Sequence, residues 1–128
     1  MRSRTILSGA LVGVALAVTA ACGADVSRIP APQVPGGDPK HGAELIASYG
    51  CGSCHTVDGV RGADGLVGPP LTGFGQRGYI AGELPNSAEN LEHWIQSPQQ
   101  VEPGTAMPDL GVTSDDARDI AAFLMESR

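Results

Sequence analysis

The chain has 128 residues, with 8 Lys and Arg against 14 Asp and Glu for a net charge of −6, and only 4% of it is aromatic. An acidic chain of this kind does not hold nucleic acid by electrostatics, although it suits a partner with a basic docking face as well as it suits plain solubility. One Trp, two Tyr and two Phe give a small domain little bulky material for a core, so it calls for a staple.

Met1-Arg2-Ser3-Arg4 is a basic start, Ile6 to Val18 an apolar run and Thr19-Ala20-Ala21 a small-residue close, the layout of an export signal. The run is too short for a comfortable membrane span. Cys22 follows directly, where a lipoprotein signal places the cysteine it lipidates, although Thr19 stands where leucine is usual. The other reading is ordinary cleavage after Ala20 or Ala21, which would leave a loose thiol on an exported chain. Residues 1–21 are read as a lipoprotein-type signal, and two acyl chains on Cys22 would anchor the mature chain to a membrane. Loss of Arg2 and Arg4 leaves six basic against fourteen acidic residues, or −8. Residues 22–37, with Pro30, Pro32, Pro35 and Gly36-Gly37, read as an extended linker with almost nothing to bury, and residues 38–128 as one domain.

The domain reads as all-α, with three main helices and no alternating strand pattern. The first starts with Asp38 as cap and Pro39 at the first helical position, shows Leu45, Ile46 and Tyr49 on one face, and ends at Gly50. Gly42, one turn before that face, would let another helix cross closely. On this helix's end stands Cys51-Gly52-Ser53-Cys54-His55. C-x-x-C-H is the attachment signature of a c-type haem, with two thiols to form thioethers and an imidazole to coordinate the iron. C-x-x-C alone would also fit a thioredoxin-like pair or half a zinc site. The first wants a strand where Glu44 to Tyr49 reads as helix, and the second lacks ligands, since Cys22 is the only other cysteine.

Thr56 to Pro85 is long, irregular and dense in glycine, which becomes reasonable where backbone approaches a flat cofactor. Asn86 with Glu89 three residues on announces a second helix carrying Leu91, Trp94 and Ile95 and stopped by Ser97-Pro98. A third opens at Thr113 or Ser114 with Asp115 and Asp116 in its first turn, then a stripe of Ala117, Ile120, Ala121 and Leu124 with Phe123 and Met125 beside it. For the sixth iron ligand Met107 leads, in the proline-flanked loop Pro103-Gly104-Thr105-Ala106-Met107-Pro108. Met125 competes but reads as core filler, and His41 and His93 read as surface histidines. His/Met ligation raises the potential relative to His/His and leaves no open coordination place, which favours electron carriage over catalysis.

Cys51 to His55, Gly68-Pro69-Pro70-Leu71, Pro98 and Pro103 to Pro108 together resemble a class I (monohaem) cytochrome c over the whole domain. Leu84 to Leu91, with Trp94-Ile95 and Pro98-Gln99, is similar to the cytochrome c domain of caa3-type oxidase subunit II. No copper-binding region precedes the domain in this sequence, so that likeness implies a free-standing, tethered version. The resemblance implies a small cytochrome c-like fold whose helices and glycine-rich loops wrap one covalently attached haem. It implies that the Pro69 carbonyl accepts a hydrogen bond from the His55 ring, that Leu71 packs on the haem, that Arg77 lies near a propionate and Thr105 bonds one, and that Trp94 lies near the methionine sulfur. The Gly42 helix would cross the last helix near Phe123-Leu124. The function implied is one-electron transfer rather than enzyme activity, from a quinol-oxidising complex to a haem–copper oxidase, on the outer face of the cytoplasmic membrane or in the periplasm. A peroxidase-like haem enzyme and a gas sensor with a displaceable sixth ligand are the alternatives.

Overall fold

A computed structural model describes residues 33–128, so the export signal, Cys22 and the linker up to Pro32 lie outside the described residues. Helix α1, Pro39–Ser48, starts as its residues dictate. The Asp38 carboxylate accepts the backbone N–H groups of Lys40 at 2.9 Å and His41 at 3.2 Å, donors that a helix start leaves unpaired. Helix α2, Ala88–Gln96, is capped by Ser87, whose hydroxyl accepts from Asn90 N–H at 3.2 Å. The cap expected at Asn86 is therefore one residue early. Asn86 is engaged elsewhere: its Nδ2 donates to the carbonyls of Phe74 at 2.9 Å and Arg77 at 3.0 Å.

Pro98 ends α2 but also opens a fourth, short helix, α3, Pro98–Val101, because its fixed φ suits a first helical position. Helix α4, Ser114–Glu126, is capped by Thr113, which accepts from Asp116 N–H at 3.2 Å. Two 3-10 turns, Cys51–Ser53 and Phe74–Gln76, and a two-residue antiparallel pair, β1 Tyr79–Ile80 with β2 Leu84–Pro85, complete the described chain. Ile80 faces Leu84 and Tyr79 faces Pro85. Strands this short leave no alternation to read in a sequence. Among the described residues no helix is long and apolar enough to cross a membrane.

The crossing of α1 over α4 sets the frame. A Cβ at Gly42 would lie 2.0 Å from the Asp119 carbonyl oxygen, so only a bare α-carbon permits the approach. The contact falls at Asp119-Ile120, one turn earlier than the Phe123-Leu124 region the resemblance implied. Ile46, Ile80, Leu91 and Met125 are among the most deeply buried side chains. Helix α4 buries its expected stripe together with Ala122 and Met125, a wider face than the stripe alone. The long loop 56–85 contributes Val57, Ala63, Phe74 and Ile80 to the core, and its backbone returns to the motif through Gly65 N–H to Gly52 O at 3.0 Å and Gly68 N–H to Cys54 O at 2.8 Å. Val34, in the stretch assigned to the linker, is 7% exposed and also belongs to the core.

Candidate functional site

A cavity of about 480 Å³ opens between α1, α2, α4 and the loops that join them. Cys51, Cys54, His55, Pro69, Leu71, Arg77, Trp94, Thr105 and Met107 all line it. Met125, His41 and His93 do not line it: Met125 is 1% exposed in the core, and both histidines are exposed.

The C-x-x-C-H motif does not lie on the last turn of α1, as its position suggested. The helix stops at Ser48, and the chain starts a separate 3-10 turn at Cys51. That tight turn is closed by Cys54 N–H and His55 N–H, both donating to Cys51 O at 3.2 and 3.0 Å. It directs two thiols and an imidazole into one space. Neither cysteine is in a disulfide, and burial pushes the Cys51 thiol pKa up, so that this thiol stays neutral.

His55 Nδ1 lies 2.7 Å from the Pro69 carbonyl oxygen. A carbonyl only accepts, so Nδ1 carries the proton, and the lone pair is left on Nε2. The loop presses on the ring from one side: a Cβ at Gly68 would sit 2.3 Å from His55 Cε1. The imidazole is thus held by a hydrogen bond at one position and by a bare backbone at its neighbour.

Apart from the thiols, His55 and Tyr49, the ionisable residues on the cavity wall are Arg77 and Glu102; apolar side chains dominate the rest. The Arg77 guanidinium stacks 5.0 Å above the Phe74 ring, and its Nη2 donates to the carbonyls of Pro70 and Thr72. Tyr49 is tied outward, its hydroxyl donating to Asp116 Oδ2 at 2.6 Å. At the mouth, Val67 is 80% and Leu110 41% exposed, so apolar surface continues from the interior to the outside.

On the far wall, Thr105 Oγ1 accepts from Met107 N–H at 3.4 Å. Gln99 entered the sequence reading only as part of the Pro98-Gln99 likeness and was given no role at the site, yet its carboxamide makes three hydrogen bonds to this loop. That likeness names the residue but not its task, since a glutamine five residues before a turn has no distinctive pattern.

The residues present fit a c-type haem. Two neighbouring thiols suit two thioether links, an imidazole with a free Nε2 and a thioether supply a nitrogen and a soft sulfur donor, and low-polarity walls suit a porphyrin face.

The family model described as "Cytochrome c" matches residues 39–128. Similar relatives are named cytochrome c oxidase subunit 2. That of Alkalihalophilus pseudofirmus is 38% identical over 86 residues, 66% of this chain and 24% of the relative. That of Bacillus subtilis is 34% identical over 70 residues, 53% of this chain and 20% of the relative. That of Bacillus sp. strain PS3 is 39% identical over 66 residues, 50% of this chain and 18% of the relative. The chain spans about a quarter or less of the length of these curated relatives.

Proposed function

This chain belongs to the cytochrome c family, and we propose that it carries single electrons on one haem c, which Cys51 and Cys54 would link covalently and His55 and Met107 would ligate. The observation that supports this most is the convergence of both thiols, the imidazole and the Met107 thioether on one apolar cavity. Bound haem would supply the ferrous/ferric couple, and the protein supplies position, potential and docking surface.

Each protein group has a physical task in that reading. The Pro69 carbonyl fixes the His55 ring and strengthens Nε2 as a donor. Met107, on the cavity wall, would supply the thioether ligand to bound haem, which would raise the potential relative to a second imidazole and deny the iron to outside ligands. Leu71, Trp94 and the other apolar walls exclude water, so little solvent rearranges when the charge changes. Arg77, at the wall, is suited to a propionate, and the Thr105 hydroxyl, which accepts from Met107 N–H, retains a proton to donate to another. The exposed apolar mouth at Val67 and Leu110 is where a partner would approach closely enough for transfer.

The acceptor in this reading is a haem–copper oxidase, supported by relatives that are oxidase subunits, and the donor is a quinol-oxidising complex. Export by residues 1–21 and lipidation of Cys22 would place the domain on the outer face of the cytoplasmic membrane or in the periplasm. A c-type pyridine haemochrome from the purified full chain is the first requirement. Met107→Ala should then shift the potential and visible spectrum while haem stays attached; an unchanged spectrum removes Met107 from the ligand set. Stopped-flow oxidation by oxidase-rich membranes should be faster than for an unrelated carrier and faster with the anchor than without it. Oxidation no faster than that of the unrelated carrier would remove the oxidase as acceptor.

A further inference from the structure

Gln99 occupies the second position of α3, directly after Pro98, which is among the most fully buried side chains and so fixes the base of this helix. Its carboxamide is committed to one loop. Nε2 donates to the carbonyls of Thr105 at 2.8 Å and Met107 at 3.1 Å, and Oε1 accepts from Gly104 N–H at 3.2 Å. The same segment has few other ties: Thr105 N–H to Glu102 O at 3.1 Å and the long Met107 N–H contact to Thr105 Oγ1 at 3.4 Å. A planar amide that donates twice and accepts once thus spans Gly104 to Met107 from a fixed point.

A thioether is a neutral, weak ligand, and it keeps its place against outside ligands through its high effective concentration on a stiff tether. Whatever stiffens the Met107 loop therefore decides whether the sixth place stays closed. We propose that Gln99 is a positioning residue that clamps the Met107 loop and keeps the iron closed to diffusible ligands, so that the site works as a carrier rather than as a ligand-binding haem. This rests on the reading of Met107 as the axial ligand. The clamp acts on two carbonyls and one N–H of the loop backbone, so it requires an amide side chain of this length and not merely a polar one.

The test uses the full-length holoprotein and carbon monoxide as probe, with four variants read side by side. In Gln99→Leu, which removes all three bonds, the association rate of carbon monoxide with reduced protein should rise at least tenfold, and the methionine-to-ferric charge-transfer band should be lost at a lower pH. Gln99→Glu keeps the acceptor for Gly104 but sets a carboxylate oxygen against the carbonyls of Thr105 and Met107 in place of the donor; its rate should rise at least as much as in Gln99→Leu, and it serves as the readout if Gln99→Leu yields no holoprotein. Ser87→Ala removes the α2 cap as a loss of stability outside the loop, and its carbon monoxide rate should match the unaltered protein. Met107→Ala should open the iron fully. If Met107→Ala opens the iron while both Gln99 variants stay within twofold of the unaltered rate, the clamp is wrong and the ligand reading stands. If Met107→Ala changes neither spectrum nor rate, the ligand reading falls and the clamp falls with it. A rise in Ser87→Ala equal to that in Gln99→Leu would also overturn the clamp, because general destabilisation would then explain the effect.

Discussion

His55 is held by two neighbours that act by different physics. Pro69 accepts its Nδ1 proton at 2.7 Å, and Gly68 leaves open the space that a Cβ would take at 2.3 Å from the ring. The first contact selects the tautomer and the second allows the ring to sit where it does. Gly68→Ala is therefore expected to displace the imidazole without touching either thiol. Haem should remain covalently attached in this variant while the low-spin visible spectrum is lost, and a spectrum identical to that of the unaltered protein would show that the ring tolerates the added methyl. The Gly68-Pro69 pair was legible in the sequence as a family motif and the resemblance implied the Pro69 hydrogen bond, which the structure contains, but the space that Gly68 leaves for the ring was not legible, because a close approach depends on a residue 13 positions away. The role of Gln99 was silent for a related reason: its three partners are backbone atoms, which every residue carries.

At the level of elements the α1–α4 crossing carries most of the frame, and two of its features can be tested. A Cβ at Gly42 would meet backbone at 2.0 Å, and backbone has no rotamer by which to yield. Overpacking commonly costs about 1–3 kcal/mol, and a clash with a helix backbone belongs at the top of that range or above it. Gly42→Ala should lower the melting temperature of the holoprotein steeply; a change within a degree or two would mean that the helices can separate cheaply. Beside it, His41 Nδ1 and Asp119 Oδ2 lie 2.8 Å apart, and Asp119 Oδ1 accepts Asp38 N–H at 2.8 Å, so one carboxylate joins the start of α1 to α4. The hydrogen bond to Asp119 raises the His41 pKa above its ordinary 6.5, while the Asp38 N–H and then His41 lower that of Asp119 below 3.8. The stabilisation from His41 is therefore fully present below pH 6.5 and fades as pH rises through its raised value. That from Asp119 is present above 3.8 and fades as pH falls through its lowered value. The melting-temperature difference between the unaltered protein and His41→Ala should be larger below pH 6.5 than well above the raised His41 value. A difference that does not change with pH would mean that His41 acts by packing alone.

For the whole molecule, the cavity lies inside the core rather than beside it. Ile46, Phe74, Ile80, Leu91, Ile95, Ile120 and Leu124 belong to the core and also line the cavity. A chain with 4% aromatic residues relies on whatever fills that space for apolar contact. Haem-free protein, prepared as Cys51→Ala/Cys54→Ala, should show no cooperative thermal transition by circular dichroism. A sharp melt in that variant would mean that the side chains suffice. The acidic balance, five basic against thirteen acidic residues among those described, fits a partner with a basic face.

The sequence by itself determined the chemistry and the coarse frame. C-x-x-C-H names a covalent attachment, and Asp38-Pro39, Thr113 and the α4 stripe act through periodicity and local hydrogen bonds that neighbouring residues carry. What only the tertiary structure decided is where distant segments meet: that Gly42 touches Asp119-Ile120, that Asn86 is drawn into the loop and leaves the cap to Ser87, that Val34 and the glycine-rich loop supply core, and that Gln99 reaches the Met107 loop. These contacts depend on the relative placement of whole elements. That placement follows from the joint burial of apolar faces and the pairing of backbone groups across the chain, and no local spacing records it.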